Sequence, residues 1–310
     1  MAENASDRLV MSPQPFRFSR RAFLAASAGP LASPGVVAAA PVTPAAALPQ
    51  TGPVRYVSPE RSGKPFGRVM LMGEGASLEG IDCSDCYVSI HASNVALRNC
   101  RFTATEGVAV AVDGLDGVTN VTVENCQFDG LKKNIPAQPM LRVRAGVMHV
   151  RGCVFENLPS DAITMVGGIV EKCLFRGSGY LDEAHADAIW VPRTVAPVII
   201  RDNEVEWRKP VDARVIPNTA FQIVPTTGDI YDVLIERNRC RGGSYTIQVS
   251  EHPSRLGKFK MGRVIVRNNM LSDWLYGPLY PKYVPADLVF EENRHLERGS
   301  LLSRAPQIAR

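Results

Sequence analysis

The chain has 310 residues, 45% hydrophobic and 21% charged, an ordinary globular balance for one large domain or two small ones. Its formal charge of +4 is a mild excess. With no Lys/Arg run and no basic helix, that excess argues against a nucleic-acid binder and is compatible with an anionic substrate.

Residues 1–47 differ from the rest. Arg17 opens a basic region, residues 19–27 read SRRAFLAAS, and an Ala-rich stretch broken by prolines comes next. A charged start, an apolar middle and small residues at the end define an export signal. Ser19-Arg20-Arg21-Ala22-Phe23-Leu24 closely resembles the twin-arginine signal of bacteria, with Ala25 where Lys is common. Cleavage is expected near Val37-Ala38-Ala39 or Ala45-Ala46-Ala47. Pro30, Pro34 and Gly35 interrupt any span of the roughly 20 residues a bilayer needs, and no other segment approaches that length. The mature protein is therefore expected to have no membrane span. The resemblance implies passage through the twin-arginine (Tat) machinery as a folded chain. The protein would then act in the periplasm or outside the cell.

Residues 48–68, with Pro53, Pro59 and Pro65, read as a lead-in segment of little pattern. From Val69 a short phrase begins to recur: β-formers, an Arg or Glu, one variable residue, then Cys or Asn. It reads VALRNCRF at 95–102, VTVENCQF at 121–128, MHVRGCVF at 148–155 and GIVEKCLF at 168–175. It returns as VIIRDNEV at 198–205, VLIERNRC at 233–240, VIVRNNML at 264–271 and LVFEENRH at 288–295. One column runs through it: Cys100, Cys126, Cys153, Cys173, Asn203, Asn238, Asn269, Asn293. Short β-runs at a long, uneven period, separated by Gly, Asn, Asp and Ser, predict a solenoid. The predicted fold is an all-β, right-handed parallel β-helix over 69–297, with about eight to nine rungs and a C-terminal tail at 298–310. Leu97, Val123, Val150, Val170, Ile200, Ile235, Val266 and Phe290 would fill its bore. A propeller or a leucine-rich repeat fits the spacing less well.

The cysteines fit the same scheme. A column that accepts Cys or Asn needs a small, stackable, partly polar side chain, not a thiolate. Cys83-Ser84-Asp85-Cys86 has no second CxxC to make a zinc site. A disulfide between Cys83 and Cys86, or between neighbouring rungs, stays open for an exported chain.

A second column accompanies the first. DAITM at 161–165, DAIWV at 187–191, TAFQI at 219–223 and YTIQV at 245–249 align. Strand alternation turns Ile163, Ile189, Phe221 and Ile247 inward and Thr164, Trp190, Gln222 and Gln248 outward. A stacked Trp with two Gln suits a sugar chain, by ring packing and amide–hydroxyl bonds; it also suits a plain solvated face. The longest repeats, between Cys173 and Asn269, carry extra residues around 176–186, 206–218 and 250–262, where insertions would wall that face.

The densest ionisable cluster runs from Tyr180 to Asp187. His185 and Asp187, two apart at a strand entrance, suit an oriented base. Asp161 stands one rung before Asp187, at about 5 Å. Such a pair would raise one pKa or, with Glu183, share a cation such as Ca²⁺. Both Asp residues equally suit turn capping. Arg208 and Lys258 are candidate substrate contacts, Arg214 a carboxylate clamp, and Tyr245 or His252 a proton donor. Each of these charges also reads as ordinary solvated surface.

These (V/I)x(V/I)(R/E)x(C/N) rungs resemble the parallel β-helix proteins of the pectate-lyase-like superfamily over about 69–295. The superfamily includes polysaccharide lyases, polygalacturonase-type glycoside hydrolases and alginate C5-epimerases. His185-Ala186-Asp187-Ala188-Ile189 is similar to an HxDxI/L strand of some bacterial members. The paired-Asp and Gly-His-Gly signature of the polygalacturonases and the Asp-Pro-His-Asp run of the alginate epimerases are absent. With those signatures absent no reaction carries over residue by residue, and the leading expectation is an enzyme on an acidic, uronate-containing polysaccharide, a lyase or C5-epimerase. His185 would be the base, Asp187 its orienter or a cation ligand, and Arg214 the clamp. Two alternatives stand beside it: a glycoside hydrolase using Asp161, Asp187 or Glu183, and a non-catalytic glycan-binding or envelope assembly protein.

Overall fold

The computed structural model describes residues 43–44, 54–58, 61, 64, 66–84, 86–103, 111–131, 139–178, 186–207 and 219–303. The chain divides into two units, Met1–Ser33 and Pro34–Arg310, and all described residues lie in the second. The expected export segment at 1–47 lies outside them, apart from a two-residue strand at Thr43–Pro44.

Three sheets are described. The first has nine strands, from Ser77–Glu79 to Val289–Glu291. The second has ten, from Thr43–Pro44 through Ile81–Cys83 to Arg294–His295. The third has ten, from Val54–Val57 through Gly67–Leu71 to Gly277–Leu279. The chain visits them in rotation, so hydrogen-bonded neighbours in a sheet are one turn apart. This is a right-handed parallel β-helix, the hand that parallel connections favour. The exception is Val54–Val57, which pairs antiparallel with Gly67–Leu71 and covers the open edge of the third sheet. That strand lies in the lead-in segment, where the sequence shows little pattern.

The bore is built as the repeat predicts. Leu97, Val123, Val150, Val170, Ile200, Ile235, Val266 and Phe290 pair in register. All are buried except Phe290, which is partly so. On the second sheet Phe102, Phe128, Phe155 and Phe175 stack at 4.8, 4.5 and 5.0 Å between centroids. The Cys/Asn column forms a buried ladder at the corner between the first two sheets. The Cys126 N–H donates to Cys153 Sγ at 3.4 Å, and the Cys173 N–H to Asn203 Oδ1 at 3.0 Å. Below that, Asn203, Asn238, Asn269 and Asn293 repeat one pattern. Each Oδ1 accepts from the preceding turn, and each Nδ2 donates to a carbonyl of the preceding strand.

The variable residue just before the ladder explains the corner. Asn99, Asn125, Gly152, Lys172, Asp202, Arg237, Asn268 and Glu292 all have φ between 52° and 63°. Five of the eight are Asn, Asp or Gly, which tolerate that left-handed conformation. Gly80 repeats it at φ 64°, one turn earlier, with Ile81 in the ladder place. Among the described residues the coil therefore has nine parallel turns, and the repeated phrase starts one turn late because Ile81 is neither Cys nor Asn.

All seven cysteines are buried and none is joined in a disulfide, so neither the Cys83–Cys86 bridge nor one between rungs is present. Cys83 ends a strand of the second sheet and Cys86 begins one of the third, so the corner holds them on different faces. Burial raises the Cys83 and Cys240 thiols well above their ordinary range, which removes them as nucleophiles.

Candidate functional site

Parallel register puts one outward residue per turn in a row across the third sheet. The row is Ser89, Asp113, Arg142, Thr164, Trp190, Gln222 and Gln248. Its inward neighbours Ile163, Ile189, Phe221 and Ile247 are buried, as are Met165, Val191, Ile223 and Val249. The last four outward positions are those the alternation predicts. The first three precede the aligned sequence column, which begins only at Asp161.

Two polar groups along the row have no partner among the described residues. Thr164 Oγ1 and Trp190 Nε1, cross-strand neighbours, are buried without a hydrogen bond. The Gln248 amide donates to Ser250 Oγ at 3.0 Å. A buried unpaired donor or acceptor costs about 1–3 kcal/mol, so these groups favour a hydroxyl-bearing guest or water. Past Gln248 the face becomes aromatic: the Tyr245 ring lies 5.5 Å from Tyr276 and meets Tyr280 edge-on at 5.1 Å. Tyr276 is exposed.

The chain enters the third sheet through the connections from the second, whose longer members lie largely outside the described residues. They are long at 104–111, 130–140, 179–188 and 207–220, and short at 159–162, 242–244 and 273–276. Of the three insertions read from the sequence, 176–186 and 206–218 belong to these connections and lie largely outside the described residues. The third, 250–262, lies beyond the other end of the strand Tyr245–Val249.

Asp161, Asp187, Thr219 and Tyr245 form a column at the strand entrances. Asp161 Oδ1 accepts the Asp187 N–H at 2.9 Å. Asp187 Oδ1 accepts the Thr219 N–H at 2.9 Å and its hydroxyl at 2.6 Å. The pair is thus engaged in turn hydrogen bonds, the capping role open to both residues. Burial pushes the Asp161 carboxyl up to about 7, while the Asp187 N–H pulls the other way.

The remaining predicted residues do not gather there. Tyr245 enters its strand two turns below Asp187, roughly 10 Å along the axis. His252 lies past the far end of that strand and caps the short 3-10 turn Pro253–Arg255, its Nδ1 accepting from Ser254. Lys258 is exposed beside Phe259. His185, Glu183, Arg208 and Arg214 lie outside the described residues. Among the described residues no group of three or more His, Cys, Asp or Glu could hold a metal ion. Asp161 and Asp187, the two described members of the predicted cation set, are not enough to form one.

A second cluster lies on the first turns of the same face. Arg142 and Arg144 each bond the buried Asp113 carboxylate through Nε and Nη2. Burial alone would raise the Asp113 pKa; the two guanidinium bonds overturn that and hold it below the ordinary range. The Tyr87 hydroxyl lies 3.5 Å from Asp113 Oδ2, and Ser89 Oγ lies 3.0 Å from His91 Nε2.

The molecule is thus an all-β parallel β-helix with one polar, aromatic-bearing face. No known sequence family and no curated protein matches the chain. Among solved structures it is similar to a variant of the catalytic domain of GH87 alpha-1,3-glucanase in complex with tetrasaccharides, with 11% identity and a TM-score of 0.44. It is also similar to that catalytic domain in complex with nigerose, with 11% identity and a TM-score of 0.40. Each match covers 73% of this chain and 56% of the other. At this similarity neither substrate nor site residues transfer. Among the described residues no helix is long and apolar enough to cross a membrane.

Proposed function

We propose that this protein is carbohydrate-active and lays an acidic polysaccharide along the outer face of its third sheet. The observation that carries this reading is the adjacent pair Thr164 and Trp190, whose buried polar atoms have no partner among the described residues, continued by the outward amides of Gln222 and Gln248. Sugar hydroxyls would complete those bonds, and the indole and the tyrosines would pack on ring faces.

The proposed reaction is removal of the C5 proton of a uronate, giving a lyase or a C5-epimerase. His185 is the proposed base and Arg214 the clamp; a Ca²⁺ ion would need ligands beyond Asp161 and Asp187. A second reading, hydrolysis, has its own support. Asp161 and Asp187 are carboxyls on consecutive turns, and Asp161 stays protonated well above the usual carboxylate range, as a general acid must.

Purified protein incubated with pectate, alginate, glucuronan and neutral glucans separates the readings. Unsaturated product, tracked by its ultraviolet absorbance, means lysis. New reducing ends without it mean hydrolysis, and proton exchange at C5 by NMR means epimerisation. Trp190→Ala is expected to weaken binding of an active polymer about ten-fold or more, from the loss of one stacked ring. A wild-type protein that neither binds nor turns over any of these polymers would sink the proposal.

The basic Arg20-Arg21 pair further supports export by the twin-arginine route to the periplasm or beyond. Changing both to Lys should leave the chain in the cytoplasmic fraction; unchanged export would refute that route.

A further inference from the structure

We propose that Arg68, Tyr87, His91 and Arg144 form a carboxylate-binding subsite for one uronate unit at the amino-terminal end of the third sheet's outer face. The inference rests on the glycan reading above and adds to it a site on residues outside the proposed catalytic set.

Register brings the four together. Arg68 pairs with Tyr87 on the neighbouring strand, and its guanidinium carbon stands 5.7 Å from the Tyr87 ring centroid. Tyr87, Ser89 and His91 alternate on one strand end and so share a face. Asp113 is one turn below Ser89, and Arg142 one turn below Asp113, with Arg144 two residues on.

Asp113 acts here as an anchor. Its side chain is 3% exposed and holds the Arg142 and Arg144 guanidiniums side by side, each through two nitrogens. That fixes the guanidinium planes without side-chain motion. Arg144 remains 39% exposed, so part of its fork faces outward. Arg68 Nε is buried with no partner among the described residues. Arg142 and Arg144 bond Asp113, Asp116 lies within electrostatic reach of Arg144, and Arg68 stands over the Tyr87 ring. Among the described residues the cluster holds three arginines against these two carboxylates. His91 adds no charge near neutrality, since burial and then Arg68 lower its pKa. It and the Tyr87 hydroxyl supply neutral hydrogen bonds.

An incoming carboxylate satisfies this arrangement. Its two oxygens match a planar guanidinium, and its charge offsets the surplus on Arg68 and Arg144. Below Arg142 the row continues directly into Thr164 and Trp190, so a polymer anchored here would run onto the hydroxyl-binding part of the face.

Isothermal titration with oligogalacturonate, its carboxyl-reduced counterpart and a sulfated neutral oligosaccharide tests the proposal. The wild type should prefer the uronate. Arg144→Gln and Arg68→Gln, each checked for an unchanged melting profile, should each weaken uronate binding about ten-fold or more while leaving the carboxyl-reduced chain unaffected. Uronate binding untouched by both variants would overturn the subsite and leave the glycan reading standing. Equal wild-type affinity for the reduced chain, or preference for the sulfated one, would overturn it too. If the wild type binds no oligosaccharide, the glycan reading fails. Free glucuronate that then still shifts the His91 resonances, and ceases to in Arg144→Gln, would sustain the subsite alone.

Discussion

Asp161, on the strand-entrance column, is a carboxyl whose titration the fold alters strongly. It is almost fully buried, and it accepts a hydrogen bond from the Asp187 N–H. Its unfolded pKa is about 3.9, and its folded pKa is pushed up to about 7. Between those values the folded state holds a proton that the unfolded state has released, so stability falls as pH rises through the window. Asp161→Asn keeps an oxygen acceptor for the Asp187 N–H and removes the titration. The variant is expected to match wild type near pH 3, below the unfolded pKa, and to exceed it near pH 8 by on the order of 4 kcal/mol. Chemical denaturation at both pH values reads the difference; parallel pH profiles would show that Asp161 does not titrate in this window. Asp113 has the opposite sign, because its folded pKa lies below the ordinary value. Its contribution is present above the unfolded pKa and is lost as pH falls through the folded one. The two residues also differ in how legible they are from sequence. Asp161 and Asp187 stand in a column that repeats in sequence, whereas Asp113, Arg142 and Arg144 meet across separations of 29 and 31 residues. Nothing local marks those arginines as different from solvated surface charge.

The corner ladder is where element-scale stability concentrates. Asn238 is fully buried and serves both neighbours at once. It accepts from the Asn203 N–H and amide, and it donates to Ile200 O and Asn269 Oδ1. Asn238→Ala would leave a buried N–H and a buried carbonyl unpaired, at a cost of about 2–4 kcal/mol. Asn238→Cys should cost clearly less, since Cys153 already accepts a backbone N–H in the same ladder. Urea midpoints of the two variants check this, and equal losses would mean that volume, not hydrogen bonding, sets the ladder. The first sheet adds a register device on its outer side. Glu79, Arg98, Glu124, Arg151, Glu171, Arg201, Glu236, Arg267 and Glu291 pair in sequence order and alternate in sign without a break. Arg98–Glu124, Arg201–Glu171 and Arg267–Glu236 close to 2.9, 2.7 and 2.9 Å. The solvent-accessible pairs among these are each worth little, while Glu236 is buried; a slip by one turn would set like charges against each other. The period and the bore are legible in the sequence because Cys, Asn and β-branched residues repeat. The first turn is not, since Ile81 breaks the pattern, and neither is the antiparallel Val54–Val57 strand, which has no repeat partner.

At the scale of the whole coil, each turn packs only on the turns beside it, so stability should be close to a sum of turn and interface contributions. The carboxyl end gives the sharpest test. There Phe290 is only partly buried, and the last turn depends on the segment just after it. The Leu302 N–H donates to Asn293 O at 2.7 Å, the His295 N–H to Ser300 O at 2.8 Å, and Leu301 bridges Arg294 antiparallel. The stretch expected to be a plain tail thus begins as a cover over the end of the ladder and the last strand of the second sheet. A chain ending at Arg298 loses these contacts while every other turn keeps its neighbours. Hydrogen exchange by mass spectrometry should then show protection lost in residues 288–296 and retained around Val150 and Ile200. The uncovered edge should also promote concentration-dependent association in sedimentation. If protection instead fell evenly along the coil, the nine turns would be one cooperative block, and nearest-neighbour packing would not describe this molecule.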